Sequence, residues 1–212
     1  MTQSPAIQSI LRLTLVRHGE TEGESSIRYH GRTDVRLSPL GRAQMEQVRA
    51  VLAPRHLAAA YSSTLLRSSA AARIICAGNS GAPAVTELEG FNEVDFGQWE
   101  GLTVAQIRSL YPALYQEWQM QRGDFVYPGG ESGRAFQARV VRTLRQALGH
   151  APPGELLFVL HKGVIRCIVT ELLGREAVNR QPLSSALGCI HTLVREGDGW
   201  RAEALDVVAH LS

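Results

Sequence analysis

Lysine occurs once in this chain, at Lys162, and every other fixed cation is arginine. A general bias toward arginine and alanine accounts for the scarcity but not for the position of the one lysine that remains, directly after His161. The formal net charge is only +2 and the basic residues are scattered, which argues against electrostatic binding of nucleic acid. Cysteine is nearly as rare. Cys76, Cys167 and Cys189 lie far apart without a Cys-x-x-Cys pair, so they read as buried reduced thiols and exclude a disulfide framework or a zinc-knuckle site. No stretch reaches ~18 uninterrupted apolar residues, and residues 1–10 lack a basic head followed by an apolar core. The expectation is therefore a cytoplasmic protein with no membrane partner. There is no Gly-x-x-x-x-Gly-Lys-Ser/Thr loop for nucleotide triphosphates. Gly130-Glu131-Ser132-Gly133 has no strand before it and lacks the spacing of a serine nucleophile elbow; Ser132 reads better as a helix N-cap.

No linker or repeat divides the 212 residues, which is enough chain to bury a substantial core. One domain over 1–212 is expected, with about ten loose residues at its N-terminus. The hydrophobic pattern alternates between strand and helix. Residues 12–17 read as a strand, and Ser38-Pro39 opens a helix carrying Leu40, Met45, Val48, Val51 and Leu52. Residues 57–62 and 84–87 read as strands and 64–76 as a helix. Two short helices, 103–110 and 114–121, flank Pro112, and a long one covers 132–148. The most apolar strand, 154–160, precedes a helix over 164–173. A closing hairpin, 187–194 and 200–208, turns at Glu196-Gly197-Asp198-Gly199. This order predicts an α/β three-layer sandwich whose central sheet is mostly parallel and flanked by helices. Ligands then bind beyond the carboxyl ends of the strands.

Leu15-Val16-Arg17-His18-Gly19-Glu20-Thr21 places an Arg-His pair at such an end. The plainer account is a solvated, charged turn. An arginine beside a histidine emerging from a core strand also fits an oxyanion or phosphate, which a guanidinium grips with two parallel hydrogen bonds. Three further segments follow in order: Ser62-Ser63-Thr64-Leu65-Leu66-Arg67-Ser68, Asn92-Glu93-Val94-Asp95-Phe96-Gly97-Gln98-Trp99-Glu100-Gly101, and Leu160-His161-Lys162-Gly163-Val164. Together the four motifs resemble those of the histidine phosphatase, or phosphoglycerate mutase-like, superfamily across roughly residues 12–190.

The resemblance implies a phosphoglycerate mutase-like fold and a phosphoric monoester hydrolase acting on a small-molecule phosphate ester without cofactor or metal. Its catalytic residues would be His18, Arg17, Arg67, Glu93 and His161. The two arginines neutralise the phosphate, His18 attacks phosphorus as a neutral nucleophile, His161 bonds the transferring group, and Glu93 protonates the leaving oxygen. Helical periodicity alone would leave Arg67 exposed; the family's Ser-x-Leu-x-Arg pattern reverses that reading. Glu93 is selected over Glu87, Glu89 and Asp95 because the phosphatase branch carries its acid three residues before Phe-Gly. Lys162 and Gly163 argue against full burial of His161. Thr21, His30, Gly31, Lys162 and Gly163 make up the expected substrate-binding set, His30 and Gly31 because residues 29–34 match a segment that lines the phosphate. His56, His150, His191 and His210 read as structural or surface residues.

Two positions depart from the family pattern. Many members carry Trp-Asn where this chain has Gly23-Glu24, and Gly where it has Lys162. A carboxylate at Glu24 would repel a phosphate unless it points away, and Lys162 suits a second anionic group on the substrate. The Glu93–Gly101 segment, followed by Pro128-Gly129-Gly130-Glu131-Ser132, resembles broad-specificity, α-ribazole-phosphate and sugar-phosphate phosphatases. A cofactor-dependent phosphoglycerate mutase and a non-catalytic phospho-ligand module are the alternatives. The sequence is compatible with a homodimer.

Overall fold

The computed structural model describes residues 10–77, 81–121, 125–181 and 183–211. Nearly all of the expectation for a loose N-terminus falls outside these residues. The elements in chain order are β1 (Ile10–Arg17), α1 (Pro39–Leu52), β2 (Leu57–Ser62), α2 (Leu66–Cys76), β3 (Val85–Glu87), α3 (Val104–Leu110), α4 (Pro112–Met120), α5 (Gly133–His150), β4 (Gly154–Leu160), α6 (Lys162–Leu173), α7 (Arg175–Arg180), β5 (Ile190–Glu196) and β6 (Gly199–Val207). Two 3₁₀ turns, Glu89–Phe91 and Gly97–Trp99, lie between β3 and α3.

The six strands form one sheet in the order β3-β2-β4-β1-β5-β6. β3, β2, β4 and β1 are mutually parallel, whereas β5 runs antiparallel to β1 and β6 antiparallel to β5. Leu156, Leu157, Phe158, Val159 and Leu160 of β4 are all fully buried, as expected of a parallel strand covered on both faces. Alternate side chains go to opposite faces: Leu156, Phe158 and Leu160 join Leu13, Phe91, Trp99, Phe136 and Val164 in one core. Leu157 and Val159 join Val16, Met45, Val48, Leu52 and Ile75 in the other. Burial of each such large side chain contributes about 1.5–3 kcal/mol, and this holds the sheet between its two helical layers. Among the described residues no helix is long and apolar enough to cross a membrane.

Several element boundaries differ from expectation for local reasons. Ser38 caps α1 by accepting the Gly41 N–H, with Pro39 in the first turn. Leu40 and Val51 nevertheless lie outside its buried stripe of Gly41, Met45, Val48 and Leu52. Pro112 starts α4 rather than lying in the gap before it, because a proline loses no hydrogen bond in a first turn. Helix α6 begins at Lys162 and β5 only at Ile190. The six residues of α7 are too few to show a period in the sequence. Of the cysteines only Cys189 is buried, Cys76 and Cys167 being partly covered; all three thiols are free.

In this order β2, β4 and β1 are consecutive, so their carboxyl ends span about 10 Å at ordinary strand spacing. Register makes Arg17 face Leu160 and Ser62 face Val159. The residues that follow, His18, His161 and Ser63, therefore emerge side by side.

Candidate active site

His18 leaves β1 with its backbone N–H donating to the Leu160 carbonyl at 3.0 Å. Its ring Nδ1 lies 2.8 Å from the Gly19 carbonyl. A carbonyl can only accept, so Nδ1 carries the proton and Nε2 keeps its lone pair. The His161 ring meets it edge-on, with centroids 5.1 Å apart. Contrary to the expectation from Lys162 and Gly163, His161 is only 1% exposed. Its position at the N-cap of α6 turns the ring inward, while Lys162, one residue later, is exposed. Both imidazoles titrate well below the ordinary range, chiefly through burial and then through the Arg67 charge; Arg17 adds to the effect on each. They are neutral near pH 7, as a nitrogen nucleophile requires.

Arg67, on the first turn of α2, is fully buried; the exposed position read from periodicity alone does not hold. Its Nη1 donates to the Thr33 carbonyl at 2.9 Å, and its Nη2 to those of His30 and Gly31 at 2.9 and 2.8 Å. Burial lowers its pKa to about 10, which still leaves it cationic near pH 7. Arg17 donates from Nη1 to the Ser185 carbonyl at 2.7 Å and more weakly from Nη2 to that of Ser25. The Nε atoms of both arginines are buried without a protein partner. Each guanidinium is thus fixed by backbone carbonyls and retains unused donors.

The loop at residues 29–34 holds Arg67 in place with its carbonyls. Its amides face Glu100, whose carboxylate accepts the N–H groups of Gly31, Arg32 and Thr33 at 3.0–3.1 Å and the Thr33 hydroxyl. Gly31 has no room for a side chain, since a Cβ would lie 1.8 Å from the Val94 carbonyl. With its N–H on Glu100 and its carbonyl on Arg67, Gly31 acts through that arginine. The His30 ring turns to the Gly23 carbonyl. Thr21 is buried, and its hydroxyl bonds Ser25 at 2.7 Å, shaping the turn whose Ser25 carbonyl meets Arg17. Glu24 points away: it adopts φ +61° and pairs with Arg28 at 2.9 Å on the surface. Glu100 has no distinguishing signal in the sequence, where nothing tells a loop-bracing carboxylate from a solvated one.

Glu93 is 7% exposed. Its Oε2 accepts the Gly163 N–H at 2.9 Å and its Oε1 the Val94 N–H at 3.0 Å. Burial raises its pKa, and this outweighs the two amides and the Arg67 and Arg17 charges that lower it. The carbonyls preceding Glu93 are gripped by Arg139, whose Nη1 donates to Gly90 and Asn92 at 3.0 and 2.9 Å. Arg139 is in turn held by a two-point ion pair with Glu131, at 3.0 and 2.8 Å. Gly163 therefore meets the acid rather than open pocket, and a Cβ there would lie 2.4 Å from Glu93 Oε1. Gly163→Ala is expected to cost about 1–3 kcal/mol by overpacking, measured as a fall of several degrees in Tm by calorimetry.

Among the described residues, Cys189, His191 and Asp206 are the side chains grouped closely enough to hold a cation, their ligand atoms within 4.8 Å of one another. Their hydrogen bonds oppose that use. The Asp206 N–H donates to His191 Nδ1 at 3.2 Å, so Nε2 retains the proton and faces Cys189 Sγ, also at 3.2 Å. The Cys189 thiol is itself pushed up to about 12 by burial, and a metal needs both ligands deprotonated. The cluster serves Arg17 instead: the Asp206 carboxylate accepts the Ser184 and Ser185 N–H groups at 2.8 and 2.7 Å, fixing the Ser185 carbonyl that receives the guanidinium.

The profile of the histidine phosphatase superfamily (branch 1) matches residues 13–207. The chain is similar to the adenosylcobalamin/alpha-ribazole phosphatase of Salmonella typhimurium, 30% identical over 184 residues that cover 84% of this chain and 88% of that one. It is also similar to phosphoserine phosphatase 1 of Hydrogenobacter thermophilus, 29% identical over 165 residues, or 78% and 77% of the two chains. Among solved structures it matches a mycobacterial glucosyl-3-phosphoglycerate phosphatase with a TM-score of 0.79 and 27% identity, over 94% of this chain and 100% of that one. The chain belongs to the histidine phosphatase superfamily, branch 1, and the enzyme class expected from its sequence, a phosphoric monoester hydrolase, is that of these named relatives.

Proposed function

We propose that the protein hydrolyses a small phosphorylated metabolite through a phosphohistidine on His18 Nε2. The observation that carries this reading is the His18 Nδ1 bond to the Gly19 carbonyl, which leaves a neutral Nε2 lone pair in the pocket that Arg17 and Arg67 make cationic. In the first step an Nε2–P bond forms as the ester P–O bond breaks, and the Glu93 carboxyl gives its proton to the departing oxygen. In the second step water attacks phosphorus, its proton returns to the Glu93 carboxylate, and the N–P bond breaks to release inorganic phosphate and neutral His18. Arg17 and Arg67 supply the charge compensation for both steps, so the reading needs no metal. It is tested by phosphate release from a panel of phosphorylated metabolites and an aryl phosphate with chelator present. No release from any of them across about pH 5 to 8, where histidine chemistry operates, overturns it. Rapid isomerisation of 3-phosphoglycerate in the presence of a bisphosphoglycerate primer, with little free phosphate, identifies a mutase instead.

The acid role of Glu93 gives a pH signature. Its carboxyl must be protonated to act, and burial raises the pKa at which it loses that proton. For an alkyl phosphate, kcat/KM is expected to fall as pH rises through that pKa. Glu93→Gln should lower kcat for the alkyl ester by about 10²- to 10⁴-fold and remove this limb. A nitrophenyl ester, whose leaving group needs no proton, should lose far less. Equal losses on the two esters would remove the acid role.

Lys162 makes no ion pair with any other described residue. Burial and then the Arg17 and Arg166 charges lower its pKa, outweighing Asp206 and Glu93, which raise it. Together these cations favour a substrate with a second anionic group beside the phosphate; phosphoserine and glucosyl-3-phosphoglycerate, named for two relatives, each carry a carboxylate. Lys162→Gly is expected to raise KM for doubly anionic esters by about tenfold, the value of one charge-assisted bond, and to leave an aryl phosphate nearly unchanged. Equal effects on both would refute the assignment.

A further inference from the structure

Ser63 follows the last residue of β2 and is fully buried beside His161. Its Oγ lies 2.7 Å from His161 Nε2 and 3.2 Å from the Leu65 backbone nitrogen, whose N–H it accepts. The serine is itself held rigidly: its N–H donates to Ser68 Oγ at 3.0 Å, and Ser68 donates to the Val159 carbonyl of β4 at 2.6 Å. Two tautomers of His161 fit the 2.7 Å contact, and hydrogen-bond accounting separates them. If Nε2 carried the proton, the Ser63 hydroxyl hydrogen would have no acceptor among the described residues and would be buried unpaired. With Ser63 as donor, its hydroxyl proton goes to Nε2, its lone pair takes Leu65 N–H, and every group around the serine is satisfied. The proton of the neutral imidazole then resides on Nδ1, a buried atom with no protein partner.

We propose that Ser63 is a positioning residue that holds His161 as its Nδ1–H tautomer, so that the second histidine meets the transferring phosphoryl group as a hydrogen-bond donor. This assignment rests on the phosphohistidine reading above. It gives the paired rings opposite roles: Gly19 fixes the proton of His18 on Nδ1 and leaves a lone pair at Nε2, while Ser63 occupies Nε2 of His161 and leaves its Nδ1–H without a protein partner. A lone pair from His161 in the same place would face the phosphoryl oxygens and repel them. Being neutral, His161 donates without a charge that would compete with the arginines, and the geometry is set before the substrate arrives.

The test is a long-range ¹H–¹⁵N spectrum of the full-length protein, with the His161 signals assigned by their loss in His161→Gln. Wild type is expected to show a protonated Nδ1 and an unprotonated Nε2 at His161. Ser63→Ala should lose this pattern and lower kcat by about 10- to 100-fold, part of the cost of losing one preorganised donor. Its KM should change by less than about threefold, as for an interaction strengthened in the transition state. Ser63→Thr, which keeps the hydroxyl, should restore both the spectrum and kcat. A wild-type His161 protonated at Nε2 overturns the inference even if the alanine variant does not fold, and so does an unchanged tautomer in a folded Ser63→Ala. An Nδ1–H signal in a wild type that releases no phosphate from any ester overturns the phosphatase reading and leaves the tautomer assignment standing.

Discussion

His18→Ala is expected to lower kcat for every phosphate ester by about 10⁴-fold or more, as loss of a nucleophile does in enzymes that work through covalent intermediates. The size follows from the geometry of the site. His18 Nε2 is a neutral lone pair whose ring is fixed by the Gly19 carbonyl and is 3% exposed, so little reorganisation precedes attack. His161 cannot replace it, because its Nε2 is bonded to Ser63 at 2.7 Å. Water entering the cavity left by alanine would have to attack a phosphate without the covalent relay. Two measurements check this: steady-state release of nitrophenol, and alkaline detergent quenching of enzyme mixed with ³²P-labelled ester. Wild type should yield acid-labile, base-stable label, and His18→Ala none. Label that persists in the variant would move the nucleophile elsewhere. Binding should survive the substitution, since Arg17 and Arg67 are anchored to backbone that His18 does not hold, and inorganic phosphate should still protect the variant against thermal unfolding.

Arg67→Ala is expected to damage both stability and catalysis. The guanidinium carries the carbonyls of His30, Gly31 and Thr33, and all three lose their donor together when it is removed. One buried and two partly buried acceptors left unpaired, with the cavity in place of the guanidinium, should cost about 3–5 kcal/mol, read as a shift of the urea midpoint. The loop at residues 29–34 would then be held by Glu100, by the Asp34 carboxylate on the Leu66 N–H and by the Tyr29 backbone bonds to Gly101 and Leu102. Loss of the phosphate contacts should reduce kcat/KM by about 10³-fold, within the range for removing a preorganised charged donor. Arg67→Lys should recover little, because a point ammonium cannot bond carbonyls on one side and a phosphate on the other. The charge also tunes its neighbours. It lowers the pKa of His18, His161 and Glu93, so its removal should raise all three, shifting the alkaline limb assigned to Glu93 toward higher pH. A lysine variant with wild-type stability and wild-type kcat/KM would show that the three carbonyl contacts carry no weight.

Several features of the site can be read along the chain because they depend on local chemistry. The apolar run of β1 broken at Gly19, the serine–proline start of α1, and the uninterrupted apolar run of β4 each announce themselves within a few residues. The α/β class follows from their alternation. Other features are hidden because the partners are remote. Arg67 looks exposed on a helix until residues 30–33 fold over it, and Glu100 looks like a surface acid until three amides of that loop converge on it. Glu131 and Arg139 sit eight positions apart on and before α5, and only the packing of that helix against Gly90–Glu93 makes them the clamp of the acid loop. Gly163 belongs to the expected substrate-binding set by its motif, whereas its backbone N–H meets the Glu93 carboxylate.

The sequence by itself determined which residue types are present for phosphoryl chemistry and that they lie at strand ends, because apolar runs and strand-breaking glycines are short-range signals. Which partner each of these residues meets is set by the tertiary fold. Strand order β2-β4-β1 sets Ser63, His161 and His18 side by side, and burial there forces each polar atom to find a partner or to be left free for a ligand. Which nitrogen of each histidine faces the pocket, which donors of each arginine remain unused, and whether Glu93 holds its proton are consequences of that long-range closure, to which a one-dimensional pattern is blind.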